Sequence, residues 1–293
     1  MNSVWNTYYI YYYDSSKQDE VIQLIAKKMA SFMEENIIEK WFFIRYWEGG
    51  PHIRVRFLTE KTLNYKEIFK EVIDYIKINP FKGKISKEDY YENIKENTIS
   101  KEELPWYEEG EIIAAEYIPE YERYGGEDLM PLTESLFMIS SEYVTRLISL
   151  TKDKGFLLRF FFSAVTVKLL VDRLQEKELL GVANNAFYEN CVRCWRGMNS
   201  IEDMSYAENL LNNCVSNGKY IKRINELILH KEFFSNSLEK LIKGFEEIYR
   251  SVKDYKSFRS IVFSHLHMLN NRLGIVPEYE CALYYCIKEG GVL

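Results

Sequence analysis

The stretch Trp41 to Phe57, WFFIRYWEGGPHIRVRF, limits the folds open to this chain more than any other segment. Its second half alternates charged and apolar residues. Side chains of a β-strand point to opposite faces with a period of two. His52, Arg54 and Arg56 therefore line one face of a strand, and Ile53, Val55 and Phe57 the other. Glu48-Gly49-Gly50-Pro51 is turn chemistry, so the strand predicted over Ile37 to Trp47 returns as a partner over His52 to Leu58. A row of cationic side chains repels itself unless an anion faces it, and arginine grips carboxylates or phosphates with two parallel hydrogen bonds. The competing reading is a solvated edge strand that uses charge to block edge-to-edge pairing.

The segments around this hairpin alternate strand and helix. Val4 to Tyr13, rich in Tyr and Ile, suits a strand. Ser15-Ser16 can cap a helix running to about Glu35, with Val21, Leu24, Ile25, Met29 and Phe32 on one face. Tyr65 to Ile78 reads as a second amphipathic helix, and Glu111 to Tyr117 as a further strand. Residues 82 to 110 are charged and read as a surface excursion, tied down by Tyr90, Tyr91, Trp106 and Tyr107. From Thr133 onward helical periodicity dominates, with helices predicted over 133–151, 155–177, 184–197, 218–231, 236–252, 256–273 and 277–288. The fold class that follows is α+β: an N-terminal antiparallel sheet with flanking helices, then a mostly α-helical C-terminal half. A subdomain boundary is expected near residue 130, giving 1–130 and 131–293 packed as one compact unit.

Composition excludes several classes. The 293 residues suffice for a sizeable core, and 47% hydrophobic with 28% charged is ordinary for a globular protein. The net charge of −6 speaks against a chain that holds nucleic acid by its backbone, so the arginines mark a local site. The 23 tyrosines suit clefts and interfaces as well as cores, because each buries area while keeping a polar handle. No secretory signal begins the chain and the five cysteines are an odd number, so a cytoplasmic protein with free thiols is expected. Cys191-Val-Arg-Cys194 is a lone CxxC, too little for zinc, and no metal is expected. The apolar run Phe160 to Val171 contains Lys168 and falls short of the roughly 20 residues a membrane span needs, so no membrane partner is expected.

Two further segments carry chemistry. In Tyr117-Ile-Pro-Glu-Tyr-Glu-Arg-Tyr-Gly-Gly126, Arg123 precedes a Gly-Gly that permits unusual backbone angles. Arg123 can equally form a surface salt bridge with Glu120. In the helix ending at Ser264-His-Leu-His-Met-Leu-Asn-Asn-Arg-Leu-Gly274, His265 falls inside the apolar stripe, as a packed histidine with one satisfied nitrogen. His267 falls nearly opposite, with Asn271 one turn later, where it faces either a cleft or plain solvent.

The three motifs in order, W-F-F-I-R-Y…H-x-R-x-R, Y-x-P-E-x-x-R-Y-G-G and H-M-x-x-N-R-L-G, resemble the C-terminal elimination domain of class I lanthipeptide dehydratases and its stand-alone relatives in thiopeptide biosynthesis. The resemblance covers nearly the whole chain. It implies an enzyme, a lyase, that expels glutamate from glutamylated Ser or Thr of a ribosomally made precursor peptide, leaving dehydroalanine or dehydrobutyrine in bacteriocin biosynthesis. It implies His267, Arg54, Arg56 and Arg123 as catalytic residues; His52, Tyr124, Asn271 and Arg272 are expected at the substrate, with two alternatives open, that His52 caps the hairpin and that Asn271 and Arg272 support His267. It also implies a leader-bearing peptide substrate and a separate glutamyl-tRNA-dependent glutamylation protein as partners, with no cofactor. A homodimer stays open. One departure stands out: where the family reads E-x-x-F-x-x-D-S, Glu134 to Ser141 has Ser140 in place of the Asp.

Two alternatives remain. Thiopeptide relatives join two dehydroalanines in a formal [4+2] cycloaddition, forming a pyridine and releasing the leader peptide. The joint presence of Arg54, Arg56, Arg123 and His267 favours elimination over that reaction. A non-catalytic protein that binds the precursor peptide along a strand edge has no need of four such groups.

Overall fold

The computed structural model describes residues 3–61, 63–92, 104–199, 205–206, 209–210, 212, 222, 225–226 and 228–290. Half of the predicted helix 218–231 lies outside them, as do Cys214 and the middle of the 82–110 excursion. The chain divides into two compact units, Met1–Ile118 and Pro119–Leu293.

Unit 1 is built on a four-stranded antiparallel sheet. Its strands are β1 (Val4–Tyr11), β2 (Lys40–Tyr46), β3 (His52–Thr59) and β4 (Ile112–Ala115), in the order β2-β3-β1-β4. The β3 alternation works as its sequence requires. Ile53, Val55 and Phe57 are fully buried on one face. On that side Tyr8 stacks on Phe57 and meets Phe69 edge-on. Helix α1 (Gln18–Glu34) buries Val21, Ile22, Ile25, Met29 and Phe32. Full burial of each such apolar side chain is worth about 1.5–3 kcal/mol.

Several local boundaries differ from expectation, each for a visible reason. Ser15–Lys17 forms a 3-10 turn before α1, and neither serine caps the helix, because Ser16 Oγ donates to the Asp14 carboxylate. The strand predicted from Ile37 begins at Lys40, since the Ile37 and Ile38 amides close the α1 C-terminus on the Phe32 carbonyl. The single helix predicted over Tyr65 to Ile78 is two, α2 (Tyr65–Ile68) and α3 (Lys70–Ile78). They break at Phe69, whose buried ring meets Tyr8.

The hairpin turn between β2 and β3 is held from the excursion, which carries the short helix α4 (Lys87–Glu92). The Gly49 amide donates to Tyr91 Oη at 2.7 Å, and Tyr91 donates to the Pro105 carbonyl at 2.7 Å. Tyr90 donates to the Trp47 carbonyl at 3.0 Å. Tyr107 stacks on Tyr11, with ring centroids 4.8 Å apart.

Unit 2 is helical. Two 3-10 turns, Glu122–Tyr124 and Glu127–Leu129, lead into α5 (Met130–Thr151), followed by α6 (Phe156–Glu176) and α7 (Asn184–Asn199). Helices α8 (Glu232–Val252), α9 (Tyr255–Leu273) and α10 (Pro277–Gly290) complete it. Helix α5 starts three residues before its predicted position because Pro131 is tolerated in a first turn. Asp254 caps α9 by accepting from the Ser257 amide at 2.7 Å, and Gly274 ends it in the left-handed region at φ 77°. Among the described residues no helix is long and apolar enough to cross a membrane.

Candidate active site

The first group of predicted residues lies on the sheet face of unit 1 opposite α1. Register places Tyr9 of β1 beside Arg54, and Tyr46 of β2 beside His52. Directly paired residues share a face. The Arg54 guanidinium lies 3.5 Å from the Tyr46 ring centroid and 4.3 Å from that of Tyr9. Its Nε donates to His52 Nε2 at 3.0 Å, and its ion pair with Glu48 is a loose one at 4.0 Å. Arg54 is thus steered mainly by neutral groups, with its side chain 15% exposed.

His52 is fully buried among the rings of Tyr11, Tyr9 and Tyr46. Since Nε2 accepts from Arg54, the imidazole proton sits on Nδ1 and is donated to the Gly50 carbonyl at 2.8 Å. Burial, aided by the charges of Arg54 and Arg56, pulls its pKa down to about 4 against the Gly50 hydrogen bond. The row of three potential cations is therefore two arginines and one neutral histidine. Arg56, buried, places its guanidinium 5.0 Å from the Tyr117 ring and 5.4 Å from that of Phe42.

The second group lies in unit 2, where Arg123 and His267 converge on α9. Arg123 Nε donates to Ser264 Oγ at 3.2 Å, one turn before His267. Its Nη1 also donates to Glu120 at 2.9 Å, so the salt bridge foreseen for a surface turn coexists with the helix contact. Gly125 makes the approach possible. Its φ is 89°, and a Cβ there would lie 2.8 Å from Leu129 Cδ1 and 3.0 Å from Ile261 Cδ1.

His267 faces neither open solvent nor the apolar core. Its side chain is 15% exposed, walled by Trp195 at a ring-centroid distance of 4.9 Å. Nδ1 lies 2.9 Å from Oε2 of Glu280, a wholly buried carboxylate whose Oε1 accepts from Tyr284 at 3.0 Å. His265 is packed as its position requires, against Tyr124, Phe137 and Phe245. Burial, then the charges of Arg272 and Arg123, lower its pKa to about 3. Its Nε2 has no hydrogen-bond partner among the described residues.

Tyr124 and Arg272 lie in the interior of unit 2. The Tyr124 ring meets Phe137 and His265, and the Arg272 guanidinium lies 5.2 Å from the Phe137 centroid with Nη1 3.5 Å from Ser140 Oγ. Asn271 stands one turn after His267, and its carbonyl accepts from Gly274 at 2.9 Å.

Sequence reasoning missed Glu280, Tyr284, Tyr9 and Tyr46. One signal was available for Glu280. It falls on a stripe with Leu283, Tyr284 and Ile287, and a carboxylate on such a stripe is costly unless partnered.

Residues 5–289 match the family described as the C-terminal part of lantibiotic biosynthesis dehydratases, and the chain belongs to that family. Epidermin biosynthesis protein EpiB of Staphylococcus epidermidis is 25% identical over 276 residues, 92% of this chain and 23% of the relative. Nisin biosynthesis protein NisB of Lactococcus lactis subsp. lactis is 26% identical over 265 residues, 85% of this chain and 22% of the relative. The chain thus spans under a quarter of the length of these curated relatives. Among solved structures, the pyridine synthase TbtD from thiomuracin biosynthesis shares the fold, with a TM-score of 0.66 at 15% identity, covering 98% of this chain and 97% of that one.

Proposed function

We propose that this chain expels glutamate from glutamylated Ser or Thr residues of a precursor peptide, leaving dehydroalanine or dehydrobutyrine. The observation that carries the reading is the setting of Arg54. Aromatic rings and a neutral imidazole hold it in place, and its one described carboxylate neighbour is 4.0 Å away. Its charge is left for an anion of the substrate. With Nε committed to His52, the Nη1/Nη2 fork is the edge that suits a carboxylate. The glutamyl group carries such a carboxylate.

The roles divide by chemistry. His267 takes the proton from Cα. The C–H electron pair becomes the Cα=Cβ bond, and the Cβ–O pair leaves with glutamate. The leaving group is itself an α-carboxylate, with an ordinary pKa of about 3.5, so it departs without a proton at neutral pH. A base is therefore needed more than an acid. The enolate that develops as the proton leaves needs a directed positive charge, for which we propose Arg123, one helical turn from His267. Arg54 and Arg56, with His52 behind them, hold the departing glutamate. Tyr124, Asn271 and Arg272 support the Arg123 and His267 segments rather than reach the substrate. A partner that glutamylates the peptide from glutamyl-tRNA supplies the substrate under this reading.

The competing reading is the pyridine-forming cycloaddition, which the TbtD-like fold accommodates equally. Incubation with a glutamylated Ser/Thr peptide separates the two. Release of free glutamate with loss of the glutamyl mass supports elimination. Inertness toward that ester, together with cyclisation of a dehydroalanine-rich peptide and release of its leader, supports cycloaddition.

A further inference from the structure

Glu280 is an expensive residue. It sits in the first turn of α10, fully buried, followed by Cys281, Ala282, Leu283 and Tyr284, all fully buried. A buried carboxylate is costly unless both oxygens are satisfied, and here both are. Oε1 accepts from Tyr284 Oη at 3.0 Å, and Oε2 lies 2.9 Å from His267 Nδ1. The α10 N-terminus adds favourable polarity for a negative charge.

Besides His267, the titratable groups around Glu280 among the described residues include Arg123, Cys191 of α7, and Cys281 and Tyr284 of α10. Burial raises the Cys191 thiol and the Tyr284 phenol well above their ordinary values, and the Cys281 thiol to about 11. All three stay protonated at neutral pH, so none of them places a second negative charge beside the Glu280 carboxylate. An ionised carboxylate only accepts hydrogen bonds. The His267 proton must then sit on Nδ1, and the Nε2 lone pair is left for chemistry.

We propose that Glu280 is the positioning residue for His267. It fixes the Nδ1–H tautomer, aims Nε2 as the base, and stabilises the imidazolium formed when the Cα proton arrives. Tyr284 holds the second carboxylate oxygen so that the first stays on the imidazole. This inference rests on the elimination reading for its catalytic consequence, but not for the tautomer.

Long-range ¹H–¹⁵N correlation spectra of the full chain labelled at histidine read the tautomer directly, with His267→Ala assigning the signal among four histidines. The wild type is expected to show His267 as the Nδ1–H form at mildly alkaline pH. E280Q should populate Nε2–H, because an amide can donate to Nδ1, whereas Y284F should keep Nδ1–H. With a glutamylated peptide, E280Q should slow glutamate release by about 10²- to 10⁴-fold with peptide binding little changed, as for other histidines left in the wrong tautomer. The doubly changed E280Q/H267A protein should be no slower than H267A alone. An Nε2–H tautomer in the wild type, or an E280Q spectrum identical to wild type, overturns the inference. The wild-type tautomer decides the matter even if E280Q fails to fold. A correct tautomer without glutamate release instead removes the elimination reading and leaves Glu280 positioning His267.

Discussion

Arg54 Nε donates to His52 Nε2 at 3.0 Å, and His52 in turn donates Nδ1–H to the Gly50 carbonyl at 2.8 Å. The first residue of the H-x-R-x-R motif is thus a neutral strut between the hairpin turn and the arginine. Its location explains why it can stay neutral: three tyrosine rings enclose it and two guanidinium groups stand beside it.

Replacing this strut should disturb Arg54 without removing its charge. In His52→Ala the Arg54 Nε loses its acceptor, and the stack against Tyr9 and Tyr46 loosens. Glutamate release is expected to fall by about 10- to 100-fold in kcat/KM, the scale of a small misplacement of a substrate-holding group. Steady-state kinetics with a glutamylated peptide measure this, and urea unfolding separates it from lost stability. Unchanged kinetics in a folded His52→Ala protein would remove His52 from the account.

The two buried histidines set an acid limb of stability. His52 is lowered to about 4 and His265 to about 3, both below the ordinary histidine value of 6.5. Between those pH values the unfolded chain binds protons that the folded chain does not. Stability should therefore fall as pH drops below about 6.5, continue falling toward pH 4, and level off for His52 beneath it. Once the pH lies below both folded-state values, the loss is about 3 kcal/mol for His52 and about 5 kcal/mol for His265. His265→Phe fits among Tyr124, Phe137 and Phe245, and its urea midpoint should be less sensitive to acid than that of the wild type. An identical pH slope in both proteins would contradict the assignment.

The Gly125-Gly126 pair separates backbone strain from crowding. Both residues have positive φ, 89° and 109°, but only Gly125 would bring a Cβ into side chains of Leu129 and Ile261. Gly126→Ala should cost about 1 kcal/mol from the backbone alone, and Gly125→Ala about 2–3 kcal/mol. Gly125→Ala should also slow glutamate release, because it pushes the Arg123 turn away from Ser264. Denaturant unfolding of the two variants side by side tests the order.

Much of the fold was legible because local rules and tertiary structure agree. Alternation with a Gly-Gly-Pro turn places β2 and β3, and 3.6-residue periodicity places helices α5 to α10 to within a few residues. The α2–α3 break was not legible, because it depends on Phe69 meeting Tyr8 from another element. The site was legible one residue at a time. The sequence exposes Arg54, Arg123 and His267, but their partners come from elsewhere: Tyr9 and Tyr46 from flanking strands, and Glu280 from the next helix, 13 residues beyond His267. Hydrogen-bond partners across elements leave no periodic signature, so the neutrality of His52 and the carboxylate behind His267 emerge only from the folded chain.

The most direct test compares wild type and His267→Ala on one glutamylated Ser/Thr peptide, following free glutamate and peptide mass together. Wild type should release glutamate and leave a dehydrated peptide. His267→Ala should retain the glutamyl adduct, with release slowed by about 10²-fold or more. An intact adduct with wild-type enzyme, or equal glutamate release from both proteins, would contradict the account.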